Sequence, residues 1–166
     1  RTVWHDTAVD ATLPGGRQYF TVYGPRMRPK MAIANCVSRG REGKPPVIYG
    51  DGTQTRDFTF IEDVVTANKR LLHEDGADGE ALNIGSTDNI EIEVLAEEIR
   101  DILAPELELE YAERHDADAE HTHASTEKAA ELLGYEPTHT IRAGVQKFVD
   151  WYRANREWYE PPVLAS

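Results

Sequence analysis

The sequence predicts an α/β fold in which short strands alternate with helices, on three observations. Brief aromatic or β-branched runs recur along its 166 residues. Between them lie stretches whose apolar residues keep a helical period. Gly and Pro cluster at the junctions, where a chain needs positive φ or must stop a helix. Leu, Ile, Val and Phe make up about 21% of the chain, just above the roughly 20% below which charged chains stay disordered. The core is therefore expected to be modest, in one domain of ordinary size.

Residues 1–16 show little periodicity and close on Pro14-Gly15-Gly16, so they are expected to form a poorly defined remnant. The main body is expected over residues 17–160, with 161–166 as a tail. Gln18 to Tyr23 is aromatic and β-branched, is bounded by Gly24-Pro25, and predicts one buried strand. Pro29 suits a first helical turn and Gly43-Lys44-Pro45-Pro46 ends a helix, which predicts a helix over 29–41. Val47 to Tyr49 is a short strand, Gly50-Asp51-Gly52 a turn, and Arg56 to Phe60 a second short strand. Ile61, Val64, Val65, Leu71 and Leu72 keep a helical period to about His73. Glu80 to Ile84 reads as a strand closed by Gly85. Asp88 or Asn89 is expected to cap a helix whose Leu95, Ile99 and Ile102 share a face, stopped by Pro105. Leu107, Leu109 and Tyr111 alternate with acids, as an edge strand would. Ser125 is expected to cap a helix ending at Leu133, where Gly134 can take the left-handed position and Pro137 blocks continuation. The last helix, over 140–156, presents Ile141, Val145, Phe148, Val149 and Tyr152 on one face. Trp4, Trp151 and Trp158 flank charged segments and are read as packing or partner contacts.

Charge narrows the partners. Lys and Arg number 18 against 30 Asp and Glu, a formal −12 with a pI near 4.9, and no basic patch offsets it. Nucleic acid is excluded, since phosphate backbones need clustered cations. No run approaches the roughly 20 apolar residues that span a bilayer, which predicts a soluble, cytoplasmic protein. One cysteine, Cys36, allows no internal disulfide and is expected to be a small buried hydrophobe. Arg outnumbers Lys 13 to 5 beside 12 Asp and 18 Glu, a surface suited to a cytoplasm rich in potassium salt. A halophilic protein of this kind should lose cooperative folding in dilute buffer and regain it in molar KCl. Equal melting curves in the two buffers would remove the idea.

Three segments carry candidate chemistry. In Tyr49-Gly-Asp-Gly-Thr-Gln-Thr-Arg-Asp-Phe58 a glycine turn precedes an arginine on a strand, a planar cation suited to a phosphate or diphosphate. Arg56 is either that ligand cation or the ion-pair partner of Asp51 or Asp57. Thr21 to Ala32 sets Arg26, Arg28 and Lys30 just ahead of a helix start, which favours an anion or leaves solvated loop charges. Arg114 to His123 holds three histidines and three carboxylates; His115, His121, His123 and Asp118 are of metal-ligand type, but a polar loop is the preferred reading. No glycine-rich dinucleotide turn, phosphate-binding loop or serine elbow is present.

With these residues in view, the run from Gln18 to Tyr159, about 85% of the chain, resembles the C-terminal part of the NAD-dependent nucleotide-sugar epimerases and dehydratases. These are extended short-chain dehydrogenases, and UDP-glucose and UDP-glucuronate 4-epimerases are the most similar. Four ordered matches carry the likeness: Tyr19-Phe-Thr-Val-Tyr-Gly-Pro25, Ile48-Tyr-Gly-Asp-Gly with Arg56-Asp-Phe58, Leu82-Asn-Ile-Gly85, and Leu132-Leu-Gly-Tyr-Glu-Pro137.

The resemblance implies a substrate-binding portion of a Rossmann-type enzyme. It implies Tyr19 beside the nicotinamide of NAD, Thr21 at the sugar, Met31 and Ala32 at a helix start facing the diphosphate, and Val47 to Tyr49 along the uracil. Arg56 would clamp the diphosphate and Asp118 would meet the ribose. A second diphosphate arginine is expected where this chain has His115, so Arg114 stands one position off. Gln18 replaces an Arg, Gly15-Gly16-Arg17 replaces apolar residues, and Ser125 replaces an Asp. Family catalysis uses a Tyr with a Lys four residues later, and no Tyr here has one. The glycine-rich NAD turn is missing too, so the N-terminal NAD-binding core is expected to be absent.

The expectation is a UDP-sugar-binding part of a 4-epimerase-like enzyme, catalytically incomplete as it stands, with no catalytic or metal residue assigned. The alternative is a stand-alone nucleotide-sugar module, or a partner that completes a Rossmann half in trans. A homodimer partner is also open, as family members pair through helices of the missing half.

Overall fold

The computed structural model describes residues 17–73, 77–86, 89–113, 121–123 and 125–159. The N-terminal remnant 1–16 with Trp4, the tail 161–166, Asp88, and the stretch holding Arg114, His115 and Asp118 lie outside them. The described residues form β1 (Arg17–Tyr19), β2 (Thr21–Tyr23), α1 (Ala32–Arg41), β3 (Val47–Tyr49), β4 (Thr55–Phe60), α2 (Ile61–Leu71), β5 (Leu82–Ile84), β6 (Asn89–Glu91), α3 (Ile92–Leu103), β7 (Glu110–Ala112), α4 (Glu127–Leu133) and α5 (Ile141–Ala154). The α/β class stands. No helix among the described residues is long and apolar enough to cross a membrane.

The strands form three small sheets. β1 pairs with β5 and β3 with β7, both parallel, while β4 lies between parallel β2 and antiparallel β6. The single strand expected over Gln18 to Tyr23 is therefore two. Tyr19 pairs with Ile84, but Thr21, two residues on, pairs with Phe58. The change of partner at Phe20 breaks the ladder and leaves Tyr19 40% exposed while Tyr23 is buried.

Two helix starts differ from expectation. Asn89 does not cap α3; it sits in β6 opposite Asp57. The first N–H groups of α3 instead go to backbone carbonyls of the glycine turn, Ile92 to Gln54 O at 3.0 Å and Glu93 to Gly52 O at 3.1 Å. Distant backbone thus satisfies donors that a local side chain would otherwise take. α4 starts after Thr126 with no side-chain cap, and Ser125 instead offers its carbonyl to Asn83 Nδ2 at 3.2 Å. α1 begins at Ala32 rather than Pro29, whose turn leads into it.

Other local signals hold. Gly134 ends α4 at φ 58°, and Thr140 caps α5 by accepting the Ala143 N–H at 3.3 Å. α2 places Glu62 and Asp63 in its first turn and Lys69 and Arg70 in its last, complementing the helix dipole.

The apolar faces meet in two clusters. One gathers Tyr23, Phe58 and Phe60 from β2 and β4 against Leu95 and Ile99 of α3 and Val145, Phe148, Val149 and Tyr152 of α5. The second packs Val64 and Ala67 of α2 and Leu82 and Ile84 of β5 against Ala129 and Leu133 of α4. Trp151 stacks on Phe148 at 6.0 Å and meets Trp158 edge-on at 5.7 Å; Trp151 packs against the core, while Trp158 stays 55% exposed. Cys36 is buried, and burial pushes its thiol up to about 11.

Candidate functional site

A cavity of about 550 Å³ opens between α1, α3 and the strands β2, β3 and β4. Each wall follows from a local feature of the chain. The turn Gly24 to Met27 closes through the Met27 N–H on Gly24 O at 3.1 Å, and Arg26 takes φ 65° within it. Met31 then enters α1 in extended conformation, with no side-chain cap and no acid in the first turn. The start of α1, flanked by Lys30, Met31 and Ala32, therefore presents helix N–H groups and a positive dipole end to the cavity.

The opposite wall is β4 and the residue before it. Gln54, Arg56 and Phe58 all line the cavity, as alternate residues of an extended chain must if one does. Arg56 is half-buried and donates Nη1 to its own neighbour, Thr55 O, at 2.8 Å. The Asp51 carboxylate takes the Thr53 N–H at 3.1 Å and hydroxyl at 2.8 Å. Asp57, fully buried, takes the Ser86 N–H at 2.8 Å and the Thr59 hydroxyl at 3.1 Å. Arg39 also lines the cavity but is committed to the fold, to Pro45 O through Nε and to Glu110 through Nη2, both at 2.7 Å.

The third wall is mixed. Val47 and the 44%-exposed Tyr49 come from β3, and Ile92, Leu95 and Ala96 from α3. Gln54 bridges this wall to β4: its Nε2 donates to Tyr49 O at 2.7 Å across the glycine turn. Its Oε1 is buried and has no hydrogen-bond partner among the described residues.

Of the residues singled out from sequence, Thr21, Met31, Ala32, Val47, Tyr49 and Arg56 all line this one cavity. They come from four elements up to 35 positions apart. Tyr19 does not line it; its hydroxyl donates to Asn68 Oδ1 of α2 at 2.8 Å. Arg114 and Asp118 lie outside the described residues. The chain on either side of them borders the site: Ala112 pairs with Tyr49, and His121 bridges to Thr55. The metal reading gains nothing, since His121 Nδ1 meets Thr55 Oγ1 at 3.0 Å and His123 Nδ1 meets Asn89 Oδ1 at 3.2 Å. No group of three metal-ligating side chains occurs among the described residues. Asn35, Gln54, Phe58 and the α3 residues were missed. The period of two running back from Arg56 could have found Gln54 and Phe58; nothing in sequence marks α3.

Residues 16–85 match the NAD dependent epimerase/dehydratase family. The chain is 38% identical over 141 residues to a UDP-glucuronate 4-epimerase of Thermodesulfobacterium geofontis, across 84% of this chain and 43% of that protein. Among solved structures, an epimerase from Methanothermobacter thermautotrophicus is similar at a TM-score of 0.83 and 32% identity, covering 87% of this chain and 44% of the other. The UDP-glucuronic acid 4-epimerase from Bacillus cereus, in complex with UDP-glucuronic acid and NAD, is similar at 0.78 and 33%, covering 84% and 45%. The chain thus spans a little under half the length of these three proteins.

Proposed function

Because the chain belongs to the NAD dependent epimerase/dehydratase family, we propose that its cavity is the nucleotide-sugar half of a 4-epimerase-like active site. The observation that carries this is the convergence of Thr21, Met31, Ala32, Val47, Tyr49 and Arg56 on one cavity. In this reading Val47 and Tyr49 flank the base. Arg56 and the uncapped start of α1 hold the diphosphate between a guanidinium fork and a helix dipole. Thr21 meets the sugar, and Arg114 and Asp118 meet diphosphate and ribose from the neighbouring segment.

NAD fits this chain poorly. Tyr19 is the one residue read toward the cofactor, and its hydroxyl is held by Asn68. The sequence has neither the glycine-rich turn that holds a pyrophosphate nor a Tyr with Lys four residues later. No hydride or proton step is therefore assigned to these residues. The chain incubated with NAD and UDP-galactose, UDP-glucose or UDP-glucuronate should give no interconversion, and clear turnover would refute the reading.

Binding is tested by a thermal melt in molar KCl with and without millimolar UDP. A ligand at about 100 times its Kd adds roughly 2.7 kcal/mol to the folded state. The melt should rise with UDP in wild type. Arg56→Lys, which keeps the charge but loses the fork, should bind UDP about 10- to 100-fold more weakly. An unshifted melt in wild type, or undiminished affinity in Arg56→Lys, counts against the site.

A second reading, a partner that completes a Rossmann half in trans, draws on the outer face of α2. Val65 and Leu72, 44% and 80% exposed, lie on the same side of that helix as Asn68, against which Tyr19 rests. Leu72→Asp should then abolish co-purification with a separately expressed NAD-binding half of a family member; retained co-purification would end this reading.

A further inference from the structure

Every sulfur-bearing residue of the chain borders one cavity. The sequence holds two methionines and one cysteine, and Met27, Met31 and Cys36 all line the space between α1, α3 and the strands. Exposure separates them. Met27 and Cys36 are each 8% exposed and belong to the larger core cluster. Burial also pushes the Cys36 thiol up, which leaves almost no thiolate to meet an oxidant. Met31 is half-buried and packs against that cluster from outside it. A thioether needs no deprotonation to react, so the most accessible of the three sulfurs is also the most oxidisable.

Resting on the nucleotide-sugar reading above, we propose that Met31 is a peroxide-sensitive site whose oxidation to the sulfoxide weakens the hold of the cavity on a diphosphate. A lone pair of the Met31 sulfur attacks one oxygen of hydrogen peroxide. The S–O bond forms as the O–O bond breaks, and the proton on the transferred oxygen joins the departing hydroxide as water. Sulfur is oxidised and the peroxide is reduced, so no further reactant is needed. The place decides the effect. Met31 stands just ahead of α1, where no side chain caps the helix and the first turn holds no acid. Lys30 and Ala32 line the cavity on either side of it, and among the described residues no carboxylate does. The thioether brings no charge to this seat for an anion. The sulfoxide oxygen is an acceptor with partial negative charge; it competes for the open N–H groups of the helix and repels phosphate oxygens.

The test is calorimetric titration of the 166-residue chain with UDP before and after treatment with hydrogen peroxide, with peptide mass spectrometry to locate the added oxygen. Met31 should be oxidised ahead of Met27, and bound UDP should slow its oxidation. The oxidised chain should bind UDP about tenfold more weakly, the scale of setting one acceptor against another. Methionine sulfoxide reductases should restore the affinity. Met31→Leu, titrated before and after peroxide, should show no change on treatment, while Met27→Leu should stay as sensitive as wild type. Met31→Gln, which places an acceptor there without any oxidant, should bind UDP weakly from the start and serves if the leucine variant does not fold. Oxidation of Met27 or Cys36 ahead of Met31, full oxidation of Met31 with unchanged affinity, or a Met31→Leu chain still weakened by peroxide overturns the proposal while leaving the nucleotide site in place. Failure of untreated wild type to bind UDP overturns the parent reading, and this one with it.

Discussion

Gly144→Ala should destabilise the chain by about 2–4 kcal/mol, although helix propensity alone favours Ala there by about 1 kcal/mol. Gly144 lies in the first turn of α5 and faces the β2–β4 layer, so that Tyr23 packs directly on its backbone. An added Cβ would come within 2.7 Å of Tyr23 Cζ and 2.9 Å of Phe60 Cδ2, and closer still to the Tyr23 hydroxyl. Neither ring has room to move. Tyr23 is 1% exposed and meets Phe60 edge-on at 5.4 Å and Phe58 at 6.2 Å, and its hydroxyl lies 3.4 Å from Ile141 O. Domains of this size hold only about 5–15 kcal/mol, so the loss would be a large share of the total. Denaturant midpoints of Gly144→Ala, Tyr23→Phe and the double variant give the check. Removing the hydroxyl should recover part of the loss, so the two substitutions should couple favourably. A midpoint raised by Gly144→Ala would mean that propensity wins and the contact is loose.

Asp63→Ala should cost about 3–5 kcal/mol, because this buried carboxylate ties α2 to the segment that leads into α5. Oδ1 accepts the Thr138 N–H at 3.1 Å, the Thr138 hydroxyl at 2.9 Å and His139 Nδ1 at 2.9 Å; Oδ2 accepts the His139 N–H at 3.3 Å. Truncation takes the acceptor from both backbone N–H groups and leaves the Thr138 hydroxyl and the His139 ring only each other, at 3.3 Å. Burial by itself pushes the Asp63 carboxyl up, but the hydrogen bonds from His139 and Thr138 together outweigh it and hold the group below its ordinary value. The sign of the pH dependence follows. As pH falls, the unfolded chain protonates this group first, so unfolding takes up a proton. The stabilisation is full above the unfolded value and is lost as pH falls through the lowered folded one. Asp63→Asn, which keeps one acceptor, should cost less than Ala and flatten the acid limb of stability against pH. An acid limb unchanged in Asp63→Asn would show that other carboxylates govern it.

How much was legible in the sequence differs from element to element. Gly134 was readable because its work is done within a turn of chain: the glycine ends α4 through its own φ. Thr140 was read only as the start of the last helix; its cap on α5, a bond three residues away, came from the structure. The faces of α3 and α5 were readable because helical period puts Leu95 and Ile99, or Val145, Phe148 and Tyr152, on one side. The start of α3 was not, since its donors are met by Gly52 and Gln54, some forty residues earlier. The strand expected over Gln18 to Tyr23 was right in kind but not in number, because only pairing partners reveal that the ladder changes at Phe20.

For the candidate site, sequence by itself determined the residue types and their short-range spacing: a glycine turn, an arginine two residues beyond Gln54, cations before a helix. Those depend on backbone geometry over a few residues, which local chemistry dictates. Tertiary structure alone decided that Thr21, Met31, Val47 and Arg56 face one cavity, that α3 closes it, and that Gln54 is buried with an acceptor to spare. It also decided that Gly144 must remain glycine, reversing what propensity would advise. The physical reason is the same in each case. Convergence, burial and steric clearance are properties of surfaces brought together from distant parts of the chain, and no local pattern encodes the distance between them.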